Sequence, residues 1–99
     1  MEKRGALIAL SAEDHYVRVT TTNGEDLILM RLSDAVQEIG NTQGLQIHRS
    51  HWVALDQIEN VTRTGDRGEV TLSDSSTRPI SRSFMPAVRE AGLLPTRSS

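Results

Sequence analysis

The chain has 99 residues, 36% of them hydrophobic, with only three aromatics, no cysteine and a formal charge of -2. That length makes one domain and is too short for a catalytic domain joined to a sensor. The missing cysteines exclude disulfides and thiolate-based metal or redox sites. The negative sum excludes a uniformly basic protein that coats nucleic acid.

The start, Met1 to Arg4 followed by Ala6-Leu7-Ile8-Ala9-Leu10, mimics a secretory signal. Its apolar stretch falls short of the roughly 7–15 residues such a signal needs. No apolar run approaches the ~20 residues that cross a membrane as a helix. A cytoplasmic domain is expected, with Leu7–Leu10 as its first strand.

Periodicity of two dominates the chain, which is the strand signal. Tyr16 to Thr22 alternates and is rich in β-branched residues. Asn23-Gly24 then predicts a type I′ hairpin turn, whose two central residues both need positive φ. Glu25 to Arg31 returns as the partner strand, and the run Leu27-Ile28-Leu29-Met30 suggests burial on both faces near its end. Ser33 reads as the N-cap of a short helix near 33–39, with Asp34 in its first turn and Gly40 as its stop.

Leu45-Gln46-Ile47 and Trp52-Val53-Ala54-Leu55 are apolar segments around the polar stretch His48-Arg49-Ser50-His51. Two further strands, Ile58–Thr64 and Glu69–Leu72, join across Gly65-Asp66-Arg67-Gly68. Thr77–Ser81 forms the last strand, and Pro79 puts it at an edge because proline cannot donate to a ladder. From about 84 to 92 the period becomes helical, with Pro86 in the first turn. Residues 95–99 read as a flexible tail. The expectation is a mainly β domain over 5–94, with about six to eight short antiparallel strands. Two helices this far apart in sequence also exclude a helix-turn-helix.

No motif demands an enzyme. The sequence contains no Gly-x-Ser-x-Gly, no P-loop and no Gly-x-Gly-x-x-Gly. His48 and His51, three apart in an extended segment, would point to opposite faces, so no metal site is expected. Neither cofactor nor small-molecule substrate is implied. Three polar clusters at strand ends stand out: Ser11 to Tyr16, His48 to His51, and Ser81-Arg82-Ser83. Each sets a long hydrogen-bonding side chain beside hydroxyls or other polar groups, a combination that suits base edges and phosphates. Taken singly, each is also the polar loop that any β domain carries.

Three blocks, taken together and in this order, resemble the LytTR family of bacterial DNA-binding domains. They are Ala12-Glu13-Asp14-His15-Tyr16-Val17-Arg18-Val19, Leu45 to Ile58 with its His48-Arg49-Ser50-His51-Trp52 centre, and Pro79-Ile80-Ser81-Arg82-Ser83-Phe84. The resemblance implies an elongated fold of small stacked sheets whose loops enter successive major grooves of double-stranded DNA, regulating transcription. It places His15, Arg49 and Arg82 at base-reading positions, with Arg82 bidentate to guanine. Arg18, Ser50, Arg63, Ser81 and Ser83 would serve phosphates. His48 and Trp52 fall to packing.

Two copies on tandem sites are implied as well. So is a receiver or membrane-sensor domain in a longer parent chain, for which 99 residues leave no room. The competing function class is a protein-interaction module of a signalling regulator that docks a sensor or polymerase subunit through the edge near Pro79 or an apolar surface, without contacting DNA directly. The placement of the arginines discriminates. Arg18, Arg49, Arg63 and Arg82 sharing one face with His15 favours DNA, and a scatter among carboxylates favours protein.

Overall fold

A computed structural model describes residues 6–40 and 42–93. Eight strands form two antiparallel sheets. The first sheet contains β1 (Leu7–Glu13), β2 (Tyr16–Thr21), β3 (Gly24–Leu29), β4 (Gly44–His48) and β5 (His51–Ala54), in the order β3-β2-β1-β5-β4. The second contains β6 (Ile58–Thr64), β7 (Arg67–Leu72) and β8 (Thr77–Ile80), in that order. Two short helices, α1 (Leu32–Glu38) and α2 (Met85–Glu90), complete it. The extents of 43 × 25 × 22 Å make the molecule elongated. The expected mainly β class, the two helices and the elongation are all present. The signal-like start at Met1–Arg4 and the tail at 95–99 lie outside the described residues.

The five-stranded sheet is the middle layer. On one face Leu10, Val17, Trp52 and Ala54 pack against Leu32 and Ala35 of α1. On the other, Ile8, Ala9, Ile47 and Val53 meet Val61, Val70, Leu72 and Ile80 of the three-stranded sheet, with Met85 and Val88 of α2. A register shift between Leu7 and Ala9 lets the consecutive residues Ile8 and Ala9 join the same cluster. Gly44 makes room for the indole of Trp52, since a Cβ there would fall inside the ring.

Several local expectations need correction. The hairpin joining β2 and β3 exists, but its turn residues are Thr22 and Asn23, because Thr21 already pairs with Gly24. Neither turn residue has positive φ, so the turn is not type I′; the left-handed position is Gly24, at φ 137°. Thr21 sets this geometry. Its Oγ1 accepts from the Asn23 N–H at 3.1 Å and donates to the Gly24 carbonyl at 3.2 Å.

The N-cap of helix α1 lies two residues earlier than expected, at Arg31 instead of Ser33, with no side-chain cap bond. Burial of Leu32 in the first turn takes precedence over a Ser33 cap. Gly40 ends the helix at φ 63°, as expected. The largest difference concerns β3. Leu27 and Leu29 are 51% and 69% exposed, not buried on both faces. Only Ile28 and Met30 turn toward the α1 side, because the three-stranded sheet does not extend over this edge.

The last strand does lie at an edge, with Pro79 opposite Glu69. The turn between β6 and β7 narrows to Gly65-Asp66, with Gly65 at φ 65°. Before α2, residues Arg82–Phe84 make a single 3-10 turn. The helix ends on Gly92 at φ 76°, where the Leu93 N–H reaches the Val88 carbonyl at 3.2 Å.

Candidate nucleic-acid interface

Four chain reversals gather at one end of the molecule, and backbone bonds tie them together. Asp14-His15 turns β1 into β2, with Asp14 at φ 56° in the left-handed region that aspartate tolerates. Arg49-Ser50 turns β4 into β5. The first two turns join directly, since the Ala12 N–H donates to the Ser50 carbonyl at 2.8 Å. The Ser81 N–H donates to the Ile47 carbonyl at 3.0 Å, which fixes the junction after β8 beside the second turn. The fourth reversal, Gly65-Asp66, sits beside that junction. Its Asp66 Oδ2 lies 3.5 Å from Nη1 of Arg82.

His15, Arg49, Arg63, Arg82 and Ser83 are exposed, while Ser50 and Ser81 are half-buried. Arg63 folds back on its own hairpin, donating from Nε to the Gly65 carbonyl at 2.9 Å. It stands opposite Gly68, which in turn stands opposite Ile80, so it shares this end with Arg82. An open cleft of about 400 Å³ is lined by His48, Arg67, Pro79, Ser81, Arg82 and Ser83.

Arg18 differs from the rest. It lies on the face of the sheet between Glu13 and Glu25, donating to both carboxylate oxygens of Glu13 and reaching Glu25 at 3.0 Å. These acids raise its already high pKa, and the hydrogen bond from Arg18 holds Glu13 below the usual carboxylate range. Three of the four test arginines therefore share the turn-rich end with His15, and one is engaged elsewhere.

The two histidines of the middle cluster are cross-strand partners, not residues on opposite faces. The tight turn pairs His48 with His51, and their rings meet edge to face at 5.0 Å between centroids. The Nδ1 of His48 accepts from the Ser50 N–H at 3.1 Å, and Nδ1 of His51 hydrogen-bonds Ser11 Oγ at 3.0 Å. His48 therefore shapes the turn that presents Arg49, in addition to packing. Burial, and then the charges of His48 and Arg78, push the pKa of His51 down. Trp52, in contrast, is a core residue at 4% exposure.

Sequence reasoning missed the Gly65-Asp66 reversal and Arg67 as parts of this end. The glycine-flanked hairpin was visible. Only the pairing of β7 with β8, which sets Gly68 opposite Ile80, brings it near Arg82.

No match is found among curated proteins. Among solved structures, the chain is similar to the LytTr DNA-binding domain of a protein from Bacillus cereus described as a methyl-accepting/DNA response regulator. The two share 18% sequence identity and superpose with a TM-score of 0.77, over 85% of this chain and 78% of that one. At that identity the likeness establishes the fold. The family model for the LytTr DNA-binding domain, a DNA-binding and not a catalytic unit, matches residues 5–92. The chain therefore belongs to the LytTR family of DNA-binding domains.

Proposed function

We propose that the domain, spanning 5–94, binds double-stranded DNA sequence-specifically through the turns at this end and regulates bacterial transcription from the cytoplasm. The observation that carries the reading is the union of three distant segments at one end by the Ala12–Ser50 and Ser81–Ile47 backbone bonds. His15, Arg49 and Arg82 read base edges, and Arg82 forms the bidentate contact to guanine. Ser50, Arg63, Ser81 and Ser83 hold phosphates and fix the register. Arg18 reaches phosphate only by giving up Glu13 and Glu25, so its share is the smallest.

A molecule 43 Å long can reach two successive major grooves, which lie roughly 34 Å apart. Two copies occupy tandem sites, and a receiver or membrane-sensor domain in a longer parent chain supplies the signal. No cofactor and no small-molecule substrate takes part.

The net charge of -2 is compatible with this reading, because the contacts need a few arginines at one end and not a basic surface throughout. Selection of bound sequences from random duplexes is the direct test, and recovery of no enriched sequence would overturn the proposal. With the selected site in hand, Arg82→Ala should lose about 1–3 kcal/mol of specific affinity by fluorescence anisotropy. Log affinity should fall with log salt at roughly -0.9 per phosphate neutralised.

A further inference from the structure

The two sheets have four edges, and three of them are protected against pairing. β8 carries Pro79. β4 has a register shift between Gln46 and His48 and is bonded through Ile47 to Ser81. β6 has a register shift between Ile58 and Asn60. The fourth edge, β3, has neither proline nor bulge, and its pairing with β2 runs without interruption from Leu29 to Gly24. Among the described residues, no strand pairs with its outer side. The same strand exposes Leu27 and Leu29 at 51% and 69%, beside Tyr16 at 44%. Contiguous exposed apolar residues on an unguarded edge mark an association surface.

The charges along this edge identify the occupant. Glu25 and Asp26 stand at its start and Arg31 just past its end, where the backbone at φ -85° and ψ 153° is still extended. An antiparallel strand with this same sequence is therefore complementary to it. Centring the pair on Ile28 sets Leu27 opposite the partner's Leu29, and sets Glu25, which Arg18 of its own chain also reaches, opposite the partner's Arg31. These residues all lie on the outer face that bears Tyr16, because positions two apart share a face. Centring on Leu27 instead would set Glu25 against the partner's Leu29. Centring on Leu29 would set Leu27 against the partner's Arg31. On the outer face only the register through Ile28 matches apolar to apolar and acid to base; on the other face it sets Asp26 opposite the partner's Met30.

We propose that β3 is a self-association edge: two copies of this chain pair antiparallel through it about a two-fold axis at Ile28, joining two five-stranded sheets into one of ten strands. The end of β3 nearest the β1–β2 turn is Leu29, opposite Tyr16. Antiparallel pairing therefore sends the two turn-rich ends in opposite directions. This dimer cannot seat both ends side by side on one duplex, so it is a different assembly from two copies on tandem sites. A single strand edge buries less than the roughly 1,200–2,000 Å² of a standard stable interface. The association is accordingly weak and concentration-dependent.

Sedimentation equilibrium on the 99-residue chain, from micromolar to millimolar concentration and without DNA, should show reversible dimer. A monomer throughout would overturn the proposal. Leu29→Arg, at an exposed position, should weaken the dimer about tenfold or more while leaving the thermal midpoint in place. Arg31→Glu, which opposes the partner's Glu25, should weaken it as well.

The register has its own readout, because the chain contains no cysteine. Mild oxidation of an equimolar mixture of Leu27→Cys and Leu29→Cys chains should give the mixed disulfide fastest. Directly opposed positions fall within disulfide reach, whereas diagonal ones stand about 7–8 Å apart. If either variant alone cross-links as fast as the mixture, or Leu29→Arg dimerises like the parent chain, the assignment fails. None of these outcomes depends on DNA binding.

Discussion

The two halves of the five-stranded sheet obey the same alternation but meet different surroundings. In the half made by β1, β5 and β4, both faces are covered: Trp52 and Ala54 by α1, and Ala9, Val53 and Ile47 by the three-stranded sheet and α2. In the half made by β2 and β3, the α1 face is covered, holding Val17 and the partly buried Val19, whereas the other face carries Tyr16, Arg18, Leu27 and Leu29. Covered on both faces, β5 contains the run Trp-Val-Ala, all three of them buried. β3 reads Leu-Ile-Leu, equally apolar, and is exposed at two of the three. Apolar character alone does not tell a strand in the middle layer from one that overhangs it. What decides is how far the second sheet extends, a property of elements that begin only at Ile58.

The covered half has least slack at Gly44. A Cβ there falls inside the Trp52 ring, and the indole, buried at 4% exposure among Leu10, Val17 and Ala54, has nowhere to go. Gly44→Ala should cost about 3 kcal/mol, the upper part of the usual range for overpacking a core. Urea denaturation measures it, and a loss under about 1 kcal/mol would mean that the Trp52 side of the sheet can yield.

Next in size is a matched pair of truncations. Val53→Ala empties space where β5 is covered on both faces, at 0% exposure, and should cost about 2 kcal/mol. Leu29→Ala removes more carbon from β3 but should stay within about 0.5 kcal/mol, because most of that side chain is already in water. Equal losses at the two positions would mean that the second sheet covers more of β3 than its exposure indicates. The measurement belongs at low protein concentration, where pairing through β3 does not contribute.

Elements were more legible in the sequence than layers were. The alternation of Tyr16 to Thr21 and of Ile58 to Thr64 follows from local sterics, and Gly40 and Pro79 act through their own backbone limits. Each was therefore visible locally. The turn between β2 and β3 was misplaced by one residue because the Thr21 hydroxyl bonds to the following turn, outweighing the Asn-Gly signal. His15, Arg49 and Arg82 lie in reversals the sequence marks as polar strand ends. Their gathering rests on the Ala12–Ser50 and Ser81–Ile47 bonds, which join residues tens of positions apart. Arg67 and Asp66 were illegible as parts of that end for the same reason. Equally, nothing local reveals that Arg18 has Glu25 as well as Glu13 for company, since that meeting depends on the register of β2 against β3.

Thr20 of β2 lies on the boundary between the two halves. It pairs with Ala9 toward the covered half and with Glu25 toward the overhanging one, and is 3% exposed. Among the described residues, its Oγ1 is the one buried side-chain polar atom with no hydrogen-bond partner. A buried hydroxyl without a partner carries a desolvation cost that an isosteric methyl avoids. Thr20→Val should therefore stabilise the domain by about 1 kcal/mol in urea denaturation. A neutral or destabilising outcome would mean that the hydroxyl finds a partner in solution.

The smallest expected effect concerns acid, and it separates the halves by charge. His51 stands in the covered half, where burial and then the charges of His48 and Arg78 lower its pKa below the ordinary 6.5. As pH falls through that value, the unfolded chain takes up a proton that the folded one still resists. Stability from this group is full above about pH 6.5, declines below it, and levels off once the folded pKa has been passed. Glu13 and Asp74 are also held below their usual range, by hydrogen bonds from Arg18 and Ser76, so their stabilising contributions are lost only at lower pH. Thermal midpoints should therefore fall modestly between about pH 7.5 and 5.5, and His51→Gln should flatten part of that slope whatever it does to the midpoint at neutral pH. An identical slope in the variant would assign the acid sensitivity to groups outside the covered half.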